Sequence, residues 1–105
     1  MSSLSLGSRR DNERVIISLD GELDLATVSI LRGAALAELD AGECSALVLD
    51  LERLSFLDST GIGCWIELRN RAEETGKSFE LRALPPAARR TMTIAGLAPL
   101  FGLTA

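Results

Sequence analysis

"ALVLDLERLSFLDSTGIG", residues 46–63, decides how this chain is built. Its first six residues are nearly all apolar, the composition of a central strand covered on both sides. The end of the stretch changes character. An apolar pair, Phe56-Leu57, runs into Asp58, then two adjacent hydroxyls, Ser59 and Thr60, then two glycines. Beyond them Gly61, Trp65, Leu68 and Ala72 recur every three or four residues, the stripe of an amphipathic helix with Trp65 as a core anchor. The hydroxyls therefore stand at a turn between a buried strand and a helix.

Working outward, the N-terminal side supplies a hairpin. Leu4 and Leu6 begin an edge strand, Asp11-Asn12-Glu13 is a polar turn, and Val15, Ile17 and Leu19 alternate at period two. Residues 21–39 then change period: Leu25, Val28, Leu31, Ala35 and Leu39 form a helical stripe, with Asp24 immediately before it as a cap and Asp40-Ala41-Gly42 at its end. On the C-terminal side, Gly76 closes the second helix. "SFELRAL" (78–84) alternates, with Phe79, Leu81 and Ala83 inward. Pro85-Pro86 opens a short helix that Gly96 stops, and "LFGLTA" (100–105) reads as a last short strand. Strands alternating with helices imply parallel neighbours joined by right-handed crossovers. The expected fold is α/β, one domain over residues 1–105, with a mixed sheet of four to five strands, an N-terminal β-hairpin and crossover helices.

Composition removes several function classes. With 15 acidic against 11 basic residues the formal charge is −4, which opposes nucleic-acid binding through phosphates. The pair Arg89-Arg90 reads as a solvated helix face. No apolar run approaches the roughly 20 residues needed to cross a bilayer, and Met1 to Arg10 has no apolar signal region, so no membrane insertion and a cytoplasmic location are expected. Histidine is absent, which excludes a Ser-His-Asp or Cys-His triad and the usual zinc constellations; no cofactor or metal is expected. Cys44 and Cys64 stand alone and read as reduced, small hydrophobes. A serine–lysine pair remains open through Lys77, the one lysine.

For Asp58-Ser59-Thr60 the residue types leave three readings. Any of the side chains can cap the helix, worth about 1 kcal/mol. A hydroxyl nucleophile is a second, with only carboxylates near it to act as base. The third is covalent modification, because a phosphate at a helix N-terminus meets unpaired N–H groups and a favourable dipole. "TGIG" is not a phosphate loop, which needs a longer glycine loop ending in Lys-Ser/Thr. The turn Gly21-Glu22-Leu23-Asp24 also leads into a helix, so the topology can bring the two acidic turns close together outside the strand ends.

"GELD" (21–24), "LDLERLSFLDSTGIG" (49–63) and "AGL" (95–97) together resemble the STAS domain of bacterial anti-sigma factor antagonists. The resemblance implies that the protein is no enzyme but the substrate of a partner that is both anti-sigma factor and serine kinase. Ser59, with Thr60 second, would be the phosphoacceptor. Asp24, Asp58, Ser59, Thr60 and Gly61 would form the partner-binding site. Unphosphorylated protein would hold the anti-sigma factor and release a sigma factor, and a phosphatase acting on phospho-Ser59 would reset the switch. A STAS subunit of another signalling or transport-associated complex is the alternative.

Overall fold

The computed structural model describes residues 2–103. Strand β1 (Leu4–Asp11) turns through Asn12 and Glu13 into β2 (Arg14–Leu23). Asn12 takes the tight bend with a left-handed φ of 57°, a conformation asparagine tolerates. Helix α1 (Val28–Ala41), β3 (Ala46–Leu57), α2 (Ser59–Glu74), β4 (Ser78–Arg82) and α3 (Pro86–Ile94) follow, and a 3₁₀ turn (Ala98–Phe101) comes last. The sheet order is β1-β2-β3-β4; β1 is antiparallel to β2, while β2, β3 and β4 are parallel. The expected mixed sheet, opening hairpin and crossover helices are all present, with four strands among the described residues.

One layer of apolar side chains joins sheet to helices. Val15, Ile17 and Leu19 of β2 and Leu47, Leu49 and Leu51 of β3 meet Leu31, Ala35 and Leu39 of α1 and Trp65, Leu68 and Ala72 of α2. Each large side chain taken fully out of water there stabilises by about 1.5–3 kcal/mol. Trp65 is fully buried, as its place in the stripe predicts, with Phe101 edge-on at a ring distance of 6.5 Å. Its indole N–H reaches no acceptor among the described residues. Two arginine links tie α1 to α2: Arg32 to Glu67 at 2.8 Å and Arg71 to Asp40 at 2.8 Å. On the sheet's other face the register aligns Arg9, Ile16, Val48 and Glu80 in one row, with Ile16 and Val48 buried between the two charged ends.

Strand β3 is longer than its apolar opening announces. Between Arg14↔Ala46 and Leu23↔Leu57 its register against β2 slips twice, past Ser18 and past Gly21. Each slip places an extra residue in β3, a bulge that rotates the strand. Leu51 and Leu54, three apart, both face the core as a result.

Four sequence expectations are corrected. Helix α1 begins at Val28, after a turn at residues 24–27, so Asp24 does not stand immediately before it and Leu25 lies 78% exposed outside the buried stripe. Phe56 of the apolar pair is 49% exposed. Ala83 lies beyond the end of β4, exposed, with a left-handed φ of 58°. The expected fifth strand is instead the 3₁₀ turn, stopped by Gly102 at a φ of 72°; Thr104 and Ala105 lie outside the described residues.

Candidate functional site

The C-terminal ends of two parallel neighbours build the site. Leu23 pairs with Leu57, the chain leaves β2 at Asp24 and β3 at Asp58, and the Asp58 N–H donates to the Leu23 carbonyl at 3.4 Å. The two acidic turns therefore lie side by side, as the topology requires.

Asp58 is the N-cap of α2. Its backbone is extended, and its Oδ1 accepts from the N–H groups of Thr60 at 2.9 Å and Gly61 at 3.2 Å. The Ile62 N–H closes the first turn on the Asp58 carbonyl at 3.1 Å. Of the three candidate side chains, the aspartate thus does the capping, and the hydroxyls of Ser59 and Thr60 are not needed for it. Ser59, the first residue of α2, is exposed; Thr60 is half-buried.

Gly61 is buried beneath this turn. A Cβ there would lie 2.7 Å from Leu57 Cδ1 and 2.9 Å from Leu23 Cγ. The glycine lets the first turn of α2 rest directly on both strand ends.

Asp24 is tied down from three directions. Ser2 donates its hydroxyl to Oδ2, and the Ala26 N–H donates to Oδ1 at 3.0 Å. The Thr27 hydroxyl lies 3.3 Å from Oδ1. The Ser2 bond is the largest influence and holds the Asp24 carboxyl below the usual carboxylate range; desolvation opposes it, and the Ala26 and Thr27 hydrogen bonds each add a smaller lowering. Sequence reasoning missed both Ser2 and Thr27. Thr27 falls between two apolar residues of the helical stripe, and Ser2 is remote in sequence, so no spacing signals either.

Nucleophilic chemistry has no support in this arrangement. Lys77 follows the C-terminus of α2 and donates its ammonium to the Leu39 carbonyl. Sixteen helical residues separate it from the end where Ser59 stands, about 24 Å at 1.5 Å per residue. Cys44 and Cys64 are buried and unpaired with each other; burial, then the nearby Glu67 carboxylate, pushes the Cys64 thiol up to about 11. Among the described residues no cluster of His, Cys, Asp or Glu could hold a metal, and no helix is long and apolar enough to cross a membrane.

Among the clefts on the described residues, two border α2 or the strand end that leads into it. The one nearer Ser59, of about 240 Å³, runs between Leu54–Leu57 and Pro85, Ala87, Ala88 and Thr91 of the α3 region. The other, of about 600 Å³, is a crease between α1 and α2. Its rim charges Asp40, Glu67, Arg71 and Glu74 are already paired with one another or with Arg32.

The family model described as "Mlab, STAS domain" matches residues 6–102. An anti-sigma F factor antagonist of Lysinibacillus sphaericus is 32% identical over 87 residues, covering 83% of this chain and 74% of that one. SpoIIAA, a Bacillus cell fate determinant and anti-sigma factor antagonist, has been solved in two states. Its unphosphorylated form superposes with a TM-score of 0.78 at 27% identity, covering 98% of this chain and 89% of that one. The phosphorylated form gives 0.73 at 27% identity, covering 98% and 92%. These relatives are regulatory binding proteins rather than enzymes, the class expected from the sequence. Matched over nearly its whole length in sequence and in fold, this chain belongs to the STAS domain family, with anti-sigma factor antagonists among its relatives.

Proposed function

We propose that the chain is a cytoplasmic anti-sigma factor antagonist whose partner is an anti-sigma factor with serine kinase activity. Unmodified, it binds that partner and releases a sigma factor. Phosphorylation of Ser59 switches the binding off, and a phosphatase restores it. Asp24, Asp58, Ser59, Thr60 and Gly61 are the proposed partner site, with Gly61 acting from beneath the surface.

One observation carries the reading. The exposed Ser59 hydroxyl opens a helix whose Thr60 and Gly61 N–H groups are already taken by Asp58. A phosphate on Ser59 brings about −1.5 to −2 charges. With those two donors occupied, that charge stays at the surface beside the Asp58 carboxylate, where it repels a docked partner and leaves the fold intact. Exposure also favours Ser59 over the half-buried Thr60 as acceptor. The existence of SpoIIAA in both phosphorylated and unphosphorylated forms is in keeping with such a switch.

The test is phosphopeptide mapping joined to calorimetric titration with the kinase. Ser59→Ala binds and resists phosphorylation, while phosphorylated wild-type protein binds at least tenfold more weakly. Modification at Thr60, or equal affinity of the two forms, refutes the switch. A second reading, a STAS subunit of another signalling or transport-associated complex, is favoured by one observation: the matching family model bears the name Mlab. Pull-down from the native cytoplasm with unmodified and phosphorylated chain separates the two. A phosphorylation-insensitive complex lacking any kinase supports the second.

A further inference from the structure

Thr27 stands at the N-cap of α1 yet makes no capping bond with its side chain. Its hydroxyl faces backwards instead. It accepts from the Asp24 N–H at 3.1 Å and donates to the Glu22 carbonyl at 2.7 Å. Only 2% of the residue is exposed, and it is the one polar residue among the described residues to be so buried. A buried hydroxyl whose donor and acceptor capacities are both spent on one turn is a brace for that turn. It is also an expensive bond to lose, because removing the hydroxyl leaves its partners unsatisfied.

The other side of the turn is braced by the chain's N-terminal segment. The Glu22 N–H donates to the Ser3 carbonyl at 2.9 Å, and Ser2 reaches the Asp24 carboxylate. Gly21, with a φ of 127°, permits this approach, since a Cβ there would lie 2.3 Å from the Ser3 oxygen. Asp24 is thus gripped by Thr27 through its backbone N–H and, at 3.3 Å, its carboxylate Oδ1, and by Ser2 through Oδ2.

We infer that Thr27 and Ser2 are positioning residues, whose hydroxyls fix the Asp24 carboxylate at the strand ends beside the Ser59 turn. The inference rests on the proposed role of Asp24 in partner binding. Neither Ser2 nor Thr27 touches the partner in this scheme; both act through Asp24.

The test begins with the isolated protein, where no partner is needed. In Thr27→Val, which keeps the shape and deletes the hydroxyl, the Asp24 amide exchanges at least tenfold faster and the Asp24 carboxyl, followed by NMR, titrates closer to an ordinary aspartate. Thr27→Ser restores both. Ser2→Ala, at a half-buried position outside the core, moves the same titration and serves if Thr27→Val does not fold. Affinity is then measured against the anti-sigma kinase recovered with the wild-type chain. Thr27→Val weakens binding about tenfold, the loss of one well-placed polar contact. Thr27→Ser binds as wild type, and Thr27→Val costs nothing further in an Asp24→Ala background. An unchanged Asp24 titration in both variants overturns the inference, as does a Thr27→Val loss that persists undiminished without Asp24. Full-strength binding by Asp24→Ala instead overturns the proposed role of Asp24 itself, whatever happens to the titration.

Discussion

Adding one methyl group to α2 should have opposite effects at two positions a half-turn apart. Gly61 and Gly63 both lie within the helix, so replacing either with alanine recovers about 1 kcal/mol of helix propensity. Around Gly63 nothing lies within 4 Å of the new Cβ, so Gly63→Ala should raise stability by about that amount. At Gly61 the Cβ would be 2.7 Å from Leu57 Cδ1, 2.9 Å from Leu23 Cγ and 3.0 Å from Leu23 Cδ2. Leu57 is half-buried and can yield, but Leu23 is fully buried and its Cγ cannot move without shifting the chain. Overpacking of this kind costs about 1–3 kcal/mol. Gly61→Ala should therefore be less stable than Gly63→Ala by about 1–3 kcal/mol, and below wild type by up to about 2 kcal/mol. Propensity cancels in the comparison, leaving only the contact. Urea unfolding followed by the fluorescence of Trp65, with an unchanged slope, measures it. If the two variants are equally stable, the close approach of α2 to both strand ends is not what requires glycine at 61.

Other perturbations test other parts. Asp58→Ala removes the acceptor for the Thr60 and Gly61 N–H groups and should cost about 1 kcal/mol in the same unfolding experiment; a loss below about 0.3 kcal/mol would show that water replaces the cap without penalty. The Arg32 hydrogen bond and charge hold the Glu67 carboxyl below its usual range, so the pair's contribution is present above the unfolded value and fades as pH falls through the lowered folded one. Both side chains are about half exposed, so the effect is small. Glu67→Gln should flatten the acid limb of a stability–pH profile below about pH 5 by at most about 1 kcal/mol, and an unaltered limb would discount the pair. With its thiol pushed up to about 11 and its side chain buried, Cys64 should resist iodoacetamide at pH 7.5 and react once urea unfolds the chain; labelling in the folded protein at the unfolded rate would contradict the burial.

The elements most legible in the sequence are those where pattern and packing coincide. Val15, Ile17 and Leu19, and Gly61, Trp65, Leu68 and Ala72, carry one period each and lie on one face each. Leu25 misleads because it fits the helical spacing three residues before Val28. The chain leaving β2 must first turn, and the Thr27 and Val28 N–H groups both close that turn on the Asp24 carbonyl at 3.1 Å and 2.8 Å. The C-terminal segment misleads in the opposite direction. Its apolar residues suit a strand, but Phe101 is drawn to the edge of Trp65 and to Phe79, and Arg69 donates to the Leu100 carbonyl at 2.9 Å. Those contacts hold the segment against α2 instead of extending the sheet. At the site, Asp58 and its neighbours were visible as an acidic, hydroxyl-bearing turn. The division of labour was not, because it depends on which oxygen reaches which N–H, and sequence spacing is silent on that.

The order of strands across the sheet repeats their order along the chain. No strand has to be inserted between two that came before it. As synthesis proceeds, β2 can zip onto β1 through a two-residue turn, β3 then adds to the open side of β2, and β4 to the open side of β3. Every step extends a template already present, so an emerging chain never needs to reopen earlier pairings to admit a later one. The last addition is the weakest, since β4 pairs through five residues against eight for β2 on β1 and nine for β3 on β2. The growing edge thus closes on a short strand, a form that gives a neighbouring chain little length to copy.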